Sequence, residues 1–174
     1  MDGRAWTIRR LDAVSEEQVS GLADVLVDCV EGGASVSFML PLTHDRAAAF
    51  WRQVSSGVAA GERALLVAED AHGICGTVQL ILQQPENQLH RADLAKMLVH
   101  RRARRQGIAE ALLVAADTLA RNCGRSLLVL DTVTDSTASR LYARLGWQRV
   151  GDIPDFALNP GGGLVSTTFF YRQL

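Results

Sequence analysis

The hydrophobic and polar positions change period along the chain, and each change predicts an element. Residues 5–11 read as a strand. Residues 15–31 switch to a helical period, with Val19, Leu22, Leu26 and Val30 on one face. Ser15 offers that helix an N-cap, and Gly32-Gly33 stops it. Residues 43–60 predict a second helix, opened by Thr43 and stopped at Gly61. Residues 63–69 and 74–83 are β-rich runs around Asp70-Ala71-His72-Gly73, which marks a hairpin. Residues 84–90 form a polar loop, and residues 92–99 a further strand. Ile108, Leu112, Ala115 and Leu119 form the core face of a helix that Gly124 ends. Residues 126–131 are almost continuously apolar, which predicts a central, buried strand. A short helix over 137–145 and strands over 147–152 and 164–171, around Gly161-Gly162-Gly163, complete the chain.

Strands and helices in this order predict a mixed α/β layer fold of about seven strands and four helices. A chain of 174 residues suits one domain over residues 1–174 with a sizeable core. A hydrophobic fraction of 48% is ordinary for a globular protein, and no apolar run reaches the length of a membrane span. The start, Met1-Asp2-Gly3-Arg4-Ala5-Trp6, lacks an apolar leader, which predicts the cytoplasm. Cys29, Cys75 and Cys123 are odd in number and far apart, as expected of reduced thiols. His44, His72, His90 and His100 show no ligand spacing, so no metal is expected.

The densest chemistry lies where the strand ending at Val99 meets His100, Arg101, Arg102, Arg104 and Arg105, then Gly107-Ile108-Ala109. A strand feeding a small-residue turn at a helix start is an anion site, because the first helical N–H groups are free and the dipole is positive there. Arg104 and Arg105 add charge suited to phosphate. The formal net charge is −1, so the basic patch is local and the chain is not built as a nucleic-acid binder. The turn lacks the Gly-Lys-Ser/Thr of a P-loop and the G-x-G-x-x-G of a dinucleotide fold.

Two blocks carry a family resemblance. Arg104-x-x-Gly107-x-Ala109 resembles the acetyl-CoA pyrophosphate loop of GCN5-related N-acetyltransferases. Asp135, Ala138, Leu141, Tyr142, Gly146 and Trp147 resemble that family's N-x-x-A-x-x-L-Y-x-x-x-G-F segment, in the family's order. Asp135 departs from the usual Asn, and Arg105 from a frequent Gly. Shorter matches resemble the tabtoxin-resistance branch of the family: residues 31–36, Phe38-Met39, Arg91-Ala92-Asp93, Lys96-Met97 and Leu130-Asp131-Thr132.

The resemblance implies a V-shaped splay between the strand before the basic turn and the strand reaching Asp131, with acetyl-CoA in it as co-substrate. It implies cofactor contacts from Met97, Leu98, Val99, Arg104, Arg105, Gln106, Gly107, Ile108, Ala109, Asp135, Ala138 and Tyr142. It also implies a free backbone donor on residues 96–99 to polarise the thioester carbonyl; a bulge there would supply one. Tyr142 is the candidate acid for the departing thiolate: a phenol near pKa 10 can donate to a thiolate whose acid sits near about 8.5. The alternative is a tyrosine simply packed on the sheet. Asp131 is either the base for the amine or a carboxylate that starts a loop; Asp93 and then Glu69 follow it as candidates. Asp135 is either an N-cap or a ligand contact.

The acceptor is expected where the first two helices meet the closing hairpin, against Ser35, Phe38, Met39, Asp93, Asp131 and Phe156, with Asp152 and Asp155 on the rim. The leading expectation is an N-acetyltransferase acting on a small-molecule amine or hydroxyl, with a detoxification role. A non-catalytic acyl-CoA-binding module and a protein N-terminal acetyltransferase are the alternatives. Neither a nucleic acid nor a membrane is expected as partner, and a homodimer stays open.

Overall fold

The computed structural model describes residues 5–174, so the start read for a leader falls mostly outside them. The chain runs β1 (Trp6–Leu11), α1 (Glu16–Glu31), α2 (His44–Ala59), β2 (Arg63–Asp70), β3 (Gly73–Ile81), β4 (Arg91–Val99), α3 (Ile108–Asn122), β5 (Leu127–Val133), α4 (Thr137–Arg144), β6 (Gln148–Leu158) and β7 (Leu164–Gln173). One sheet holds the strands in the order β1-β2-β3-β4-β5-β7-β6. This is the mixed seven-stranded, four-helix fold that the periodicity predicts.

Local chemistry starts the helices. The Ser15 side chain accepts from the Gln18 N–H while Gln18 reaches back to the Ser15 N–H, a reciprocal cap on α1. Thr43 caps α2 and Ser136 caps α4 more simply, each side chain accepting one backbone N–H, from Arg46 and Ser139. Each such cap contributes about 1 kcal/mol. Asp135, read from sequence as a possible cap, precedes the cap residue and adopts φ 57°.

Two apolar clusters hold the layers. Val19, Leu22 and Leu26 of α1, with Trp51 of α2, bury against Leu65 and Val67. Ile108, Leu112 and Ala116 of α3, with Tyr142 of α4, bury on the opposite face against Leu66, Val78, Leu94, Leu130 and Phe170. Each fully buried aliphatic side chain contributes about 1.5–3 kcal/mol.

Two strands differ from expectation. β5 continues to Val133, so Asp131 lies inside the strand rather than at its end. Its pairing with β7 extends past Asp131 to Val133↔Thr167 and carries the strand on. The apolar run also predicts burial on both faces, whereas Val129 is half-buried and Asp131 exposed. β6 runs to Leu158 instead of stopping at Asp152, with irregularities after Arg149 and Ile153. An edge strand tolerates Pro154 and an unpaired excursion that a central strand would not.

Candidate active site

The site begins with a break in the sheet. β4 and β5 run parallel and pair only at Arg91↔Leu127, Ala92↔Leu128 and Asp93↔Val129. Beyond that point β4 stays with β3 and β5 stays with β7, so the two strands diverge into the V expected from the family resemblance. Backbone N–H groups facing the opening therefore have no ladder partner there.

A bulge lies on the wall of the V. Thr77 pairs with Leu98 and Gln79 with Ala95, so Lys96 and Met97 together oppose Val78. Lys96 takes φ 51°, in the left-handed region. The extra residue turns one strand N–H out of the ladder, as the resemblance leads one to expect of this strand.

The anion site expected from the sequence maps to the start of α3. Arg105 (φ 61°) and Gly107 (φ 79°) both adopt left-handed backbone, and together they swing the chain into the helix. The first intrahelical bond is Ala111 N–H to the Gly107 carbonyl, 3.0 Å, so the N–H groups of Ile108, Ala109 and Glu110 precede the ladder. Gly107 gives no side-chain cap, unlike Ser15, Thr43 and Ser136. An uncapped positive helix end beside an open slot fits a diphosphate.

The four arginines of this turn divide by role. The Asp28 carboxylate accepts from the Arg101 backbone N–H (2.8 Å) and from its Nε (2.6 Å). Burial pushes the Asp28 carboxyl up, but both Arg101 contacts and nearby His100 more than reverse this and hold it low. Arg102 pairs with Asp70, and its guanidinium also donates to the Ile74 carbonyl at 3.2 Å. The Arg104 Nε donates to the Val99 carbonyl at 3.1 Å. Arg105 is exposed, with no side-chain partner among the described residues. Three of the four arginines thus anchor the turn, and the Arg105 side chain stays exposed.

Tyr142 and Asp131 belong to opposite faces of the sheet, and the charge of Asp131 acts on the Tyr142 phenol. Tyr142 is buried on the α3–α4 face against Trp147 and Phe170. Burial first, and the Asp131 charge second, push its phenol well above the ordinary range, so it stays protonated. Its hydroxyl donates to no protein acceptor among the described residues. By register, Asp131 stands opposite Phe169 on the α1–α2 face. Its residue surface is exposed at the mouth of the slot, yet the walls around it desolvate the carboxylate and raise its pKa; Lys96 opposes that rise.

The other candidate carboxylates are engaged elsewhere. Asp93 pairs with Arg91 and accepts from Gln84 Nε2 at 3.0 Å. Glu69 accepts from Arg9 at 2.6 and 2.8 Å on strand β2, toward the far edge of the sheet. Asp152 pairs with Arg149 and accepts from Thr168 at 2.7 Å.

The acceptor side is closed by contacts between the α1–α2 loop and the β6–β7 hairpin. Ser35 Oγ donates to the Leu158 carbonyl at 3.0 Å, and the Leu40 N–H to the Pro160 carbonyl at 2.9 Å. Phe38 packs edge-on against Phe50, while Met39 remains exposed. Phe156 stands edge-on to Phe169, beside Asp131 in register.

Lys96 is the side chain that the sequence reading passed over. Its ammonium lies 3.3 Å from Ser37 Oγ and 5.6 Å from the Phe50 ring centre. Burial lowers its pKa, Asp131 raises it, and Arg63 lowers it again. The available signal was a lysine inside the half-apolar run Leu94, Ala95, Met97, Leu98.

Known proteins share this fold. Residues 61–149 match the acetyltransferase (GNAT) domain. An uncharacterized N-acetyltransferase from the hisH-hisA intergenic region of Azospirillum brasilense is 30% identical over 127 residues, 72% of this chain and 74% of that protein. Among solved structures, yncA of Salmonella typhimurium, assigned as an acetyltransferase and solved with its cofactor acetyl-CoA, superposes with a TM-score of 0.79 at 20% identity, over 98% of this chain and 95% of that one. A ribosomal-protein-alanine N-acetyltransferase from Brucella melitensis gives 0.79 at 21% identity, over 97% and 99%. The chain belongs to the GNAT family of N-acetyltransferases.

Proposed function

We propose that this N-acetyltransferase takes acetyl-CoA into the slot between β4 and β5 and passes the acetyl group to a primary amine on a small molecule. The observation that carries this reading is the slot itself: β4 and β5 part after three ladder pairs, beside a helix start without a side-chain cap. The N–H groups of Ile108, Ala109 and Glu110, with Arg105 and Gln106, hold the diphosphate. Met97, Leu98 and Val99 line the slot with Ala138, and a strand N–H at the bulge receives the thioester oxygen.

The amine enters from the α1–α2 face. Asp131 takes its proton, directly or through water, and the amine nitrogen then attacks the thioester carbon. The new C–N bond forms and the C–S bond breaks; Tyr142 gives its proton to the leaving sulfur and is reprotonated by the second proton that the nitrogen sheds as it becomes an amide. Asp131 is favoured as base because Asp93 and Glu69 are each held by an arginine. The bonds from Ser35 and Leu40 to the hairpin narrow the acceptor side, which suits a small molecule better than a polypeptide. The short matches to tabtoxin-resistance acetyltransferases support a detoxification role.

The test is acetyl-CoA-dependent thiol release with small amines, amino-acid-like acceptors and basic peptides. Release confined to small acceptors is expected. Faster release with peptides overturns the acceptor class, and absence of acetyl-CoA binding overturns the slot assignment.

A further inference from the structure

Two cations on the acceptor face form no ion pair with a carboxylate among the described residues. Lys96 rises from the β4 bulge toward Ser37 and the Phe50 ring, so it points to the α1–α2 side. Arg63, on β2, lies close enough to repel it. Both are half-buried, and among the described residues neither forms an ion pair with a carboxylate. Arg63 instead donates to the Oε1 of buried Gln79 at 2.7 Å, which fixes its position without balancing its charge. The neighbouring Arg91 is already spent on Asp93.

Half-buried cations without counter-charge are costly, and such an arrangement persists where a ligand supplies the anion. Asp131 acts on Lys96 from β5 across the slot, but as the base it has to be free to receive a proton. The α1–α2 face thus carries Lys96 and Arg63 as cations and Asp131 as an anion. Phe156 and Phe169 stand beside it as an apolar wall.

We propose that Lys96, supported by Arg63, is a specificity-determining residue that binds a carboxylate carried next to the reacting amine, so that the acceptor is an amino acid rather than a simple amine. The inference rests on the acetyl-transfer reading above for the role of the amine. The amine meets Asp131 while the carboxylate meets the Lys96 ammonium. A polyamine or a basic peptide would bring cations to Lys96 and be repelled.

The test pairs acceptors that differ only in the carboxylate: L-leucine with L-leucinamide, and L-phenylalanine with L-phenylalaninamide. Acetylation is followed as thiol release, and binding is measured by calorimetry in saturating free coenzyme A. The wild type should bind at least one acid tenfold or more tightly than its amide. In Lys96→Met the acid-to-amide ratio should fall toward one, mainly through KM, and Lys96→Arg should restore part of it. If Lys96→Met does not fold, Arg63→Gln should still reduce the ratio. Equal binding of acid and amide by the wild type, or a preference that survives Lys96→Met, overturns the inference. Carboxylate-selective binding without thiol release supports it and instead overturns the transfer reading.

Discussion

Tyr142 and Asp131 face opposite electrostatic demands although they share one slot. Burial keeps the Tyr142 phenol protonated, as an acid for a departing thiolate requires. Tyr142→Phe keeps the ring between Trp147 and Phe170 and removes only the donor. It should lower kcat by about a hundredfold while leaving acetyl-CoA affinity intact. An unchanged kcat in steady-state assays would remove the acid role. Asp131 is raised above its ordinary 3.8 chiefly by burial. The native state therefore holds that proton to higher pH than the unfolded chain does, and stability falls as pH rises from 3.8 through the raised value. Asp131→Asn should raise the melting temperature at neutral pH while it lowers kcat and flattens the acid limb of the rate profile. A loss of both stability and activity would mark Asp131 as a structural group.

The basic turn and α1 form one unit at the scale of elements. Asp28, on the inner side of α1, receives the Arg101 backbone N–H as well as its side chain, so it fixes where the turn leaves β4 and where α3 begins. Its pKa is held below the ordinary value, so its contribution is complete above pH 3.8 and is lost as pH falls through the lowered value. Asp28→Asn should cost about 2 kcal/mol at pH 7, the scale of charge-assisted hydrogen bonds. The penalty should shrink in urea melts below pH 4, and acetyl-CoA binding should weaken with it. A penalty independent of pH would assign the loss to packing. The helices were legible because their caps and glycine stops are local: Ser15 with Gln18, and Gly124 after α3. The two family-like blocks likewise marked the basic turn before α3 and Tyr142 in the sequence. The bulge at Lys96 and the reach of β6 past Pro154 were not legible, because register belongs to a pair of strands and not to either one. Nor could Asp28 be told from its solvated neighbours on α1, since its partner lies 73 residues away.

At the scale of the whole molecule, the sheet is joined through its weakest seam. The β1-β2-β3-β4 half meets the β5-β7-β6 half through three parallel ladder pairs, with α3 and α4 packed across one face. Past Asp93 the seam opens, and the strand groups lining it are among those a local opening exposes first. A ligand lying in the V contacts both halves and binds only the closed form. At a hundred times its Kd, acetyl-CoA should add about 2.7 kcal/mol to stability. For a chain of this length that raises Tm by about 5–10 °C. Hydrogen exchange should show where this stability arises. Added protection is expected in β4 from Leu94 to Val99, in β5 from Leu130 to Val133, and at the N–H groups of Ile108, Ala109 and Glu110. β1, at the far edge, should change little, because no bond of the slot reaches it. Protection spread evenly over the sheet would instead mean that the cofactor acts through global stability alone. Protection confined to α3 would mean that it binds the phosphate turn without entering the slot, and the proposed meeting of Tyr142 with the thioester would then fail.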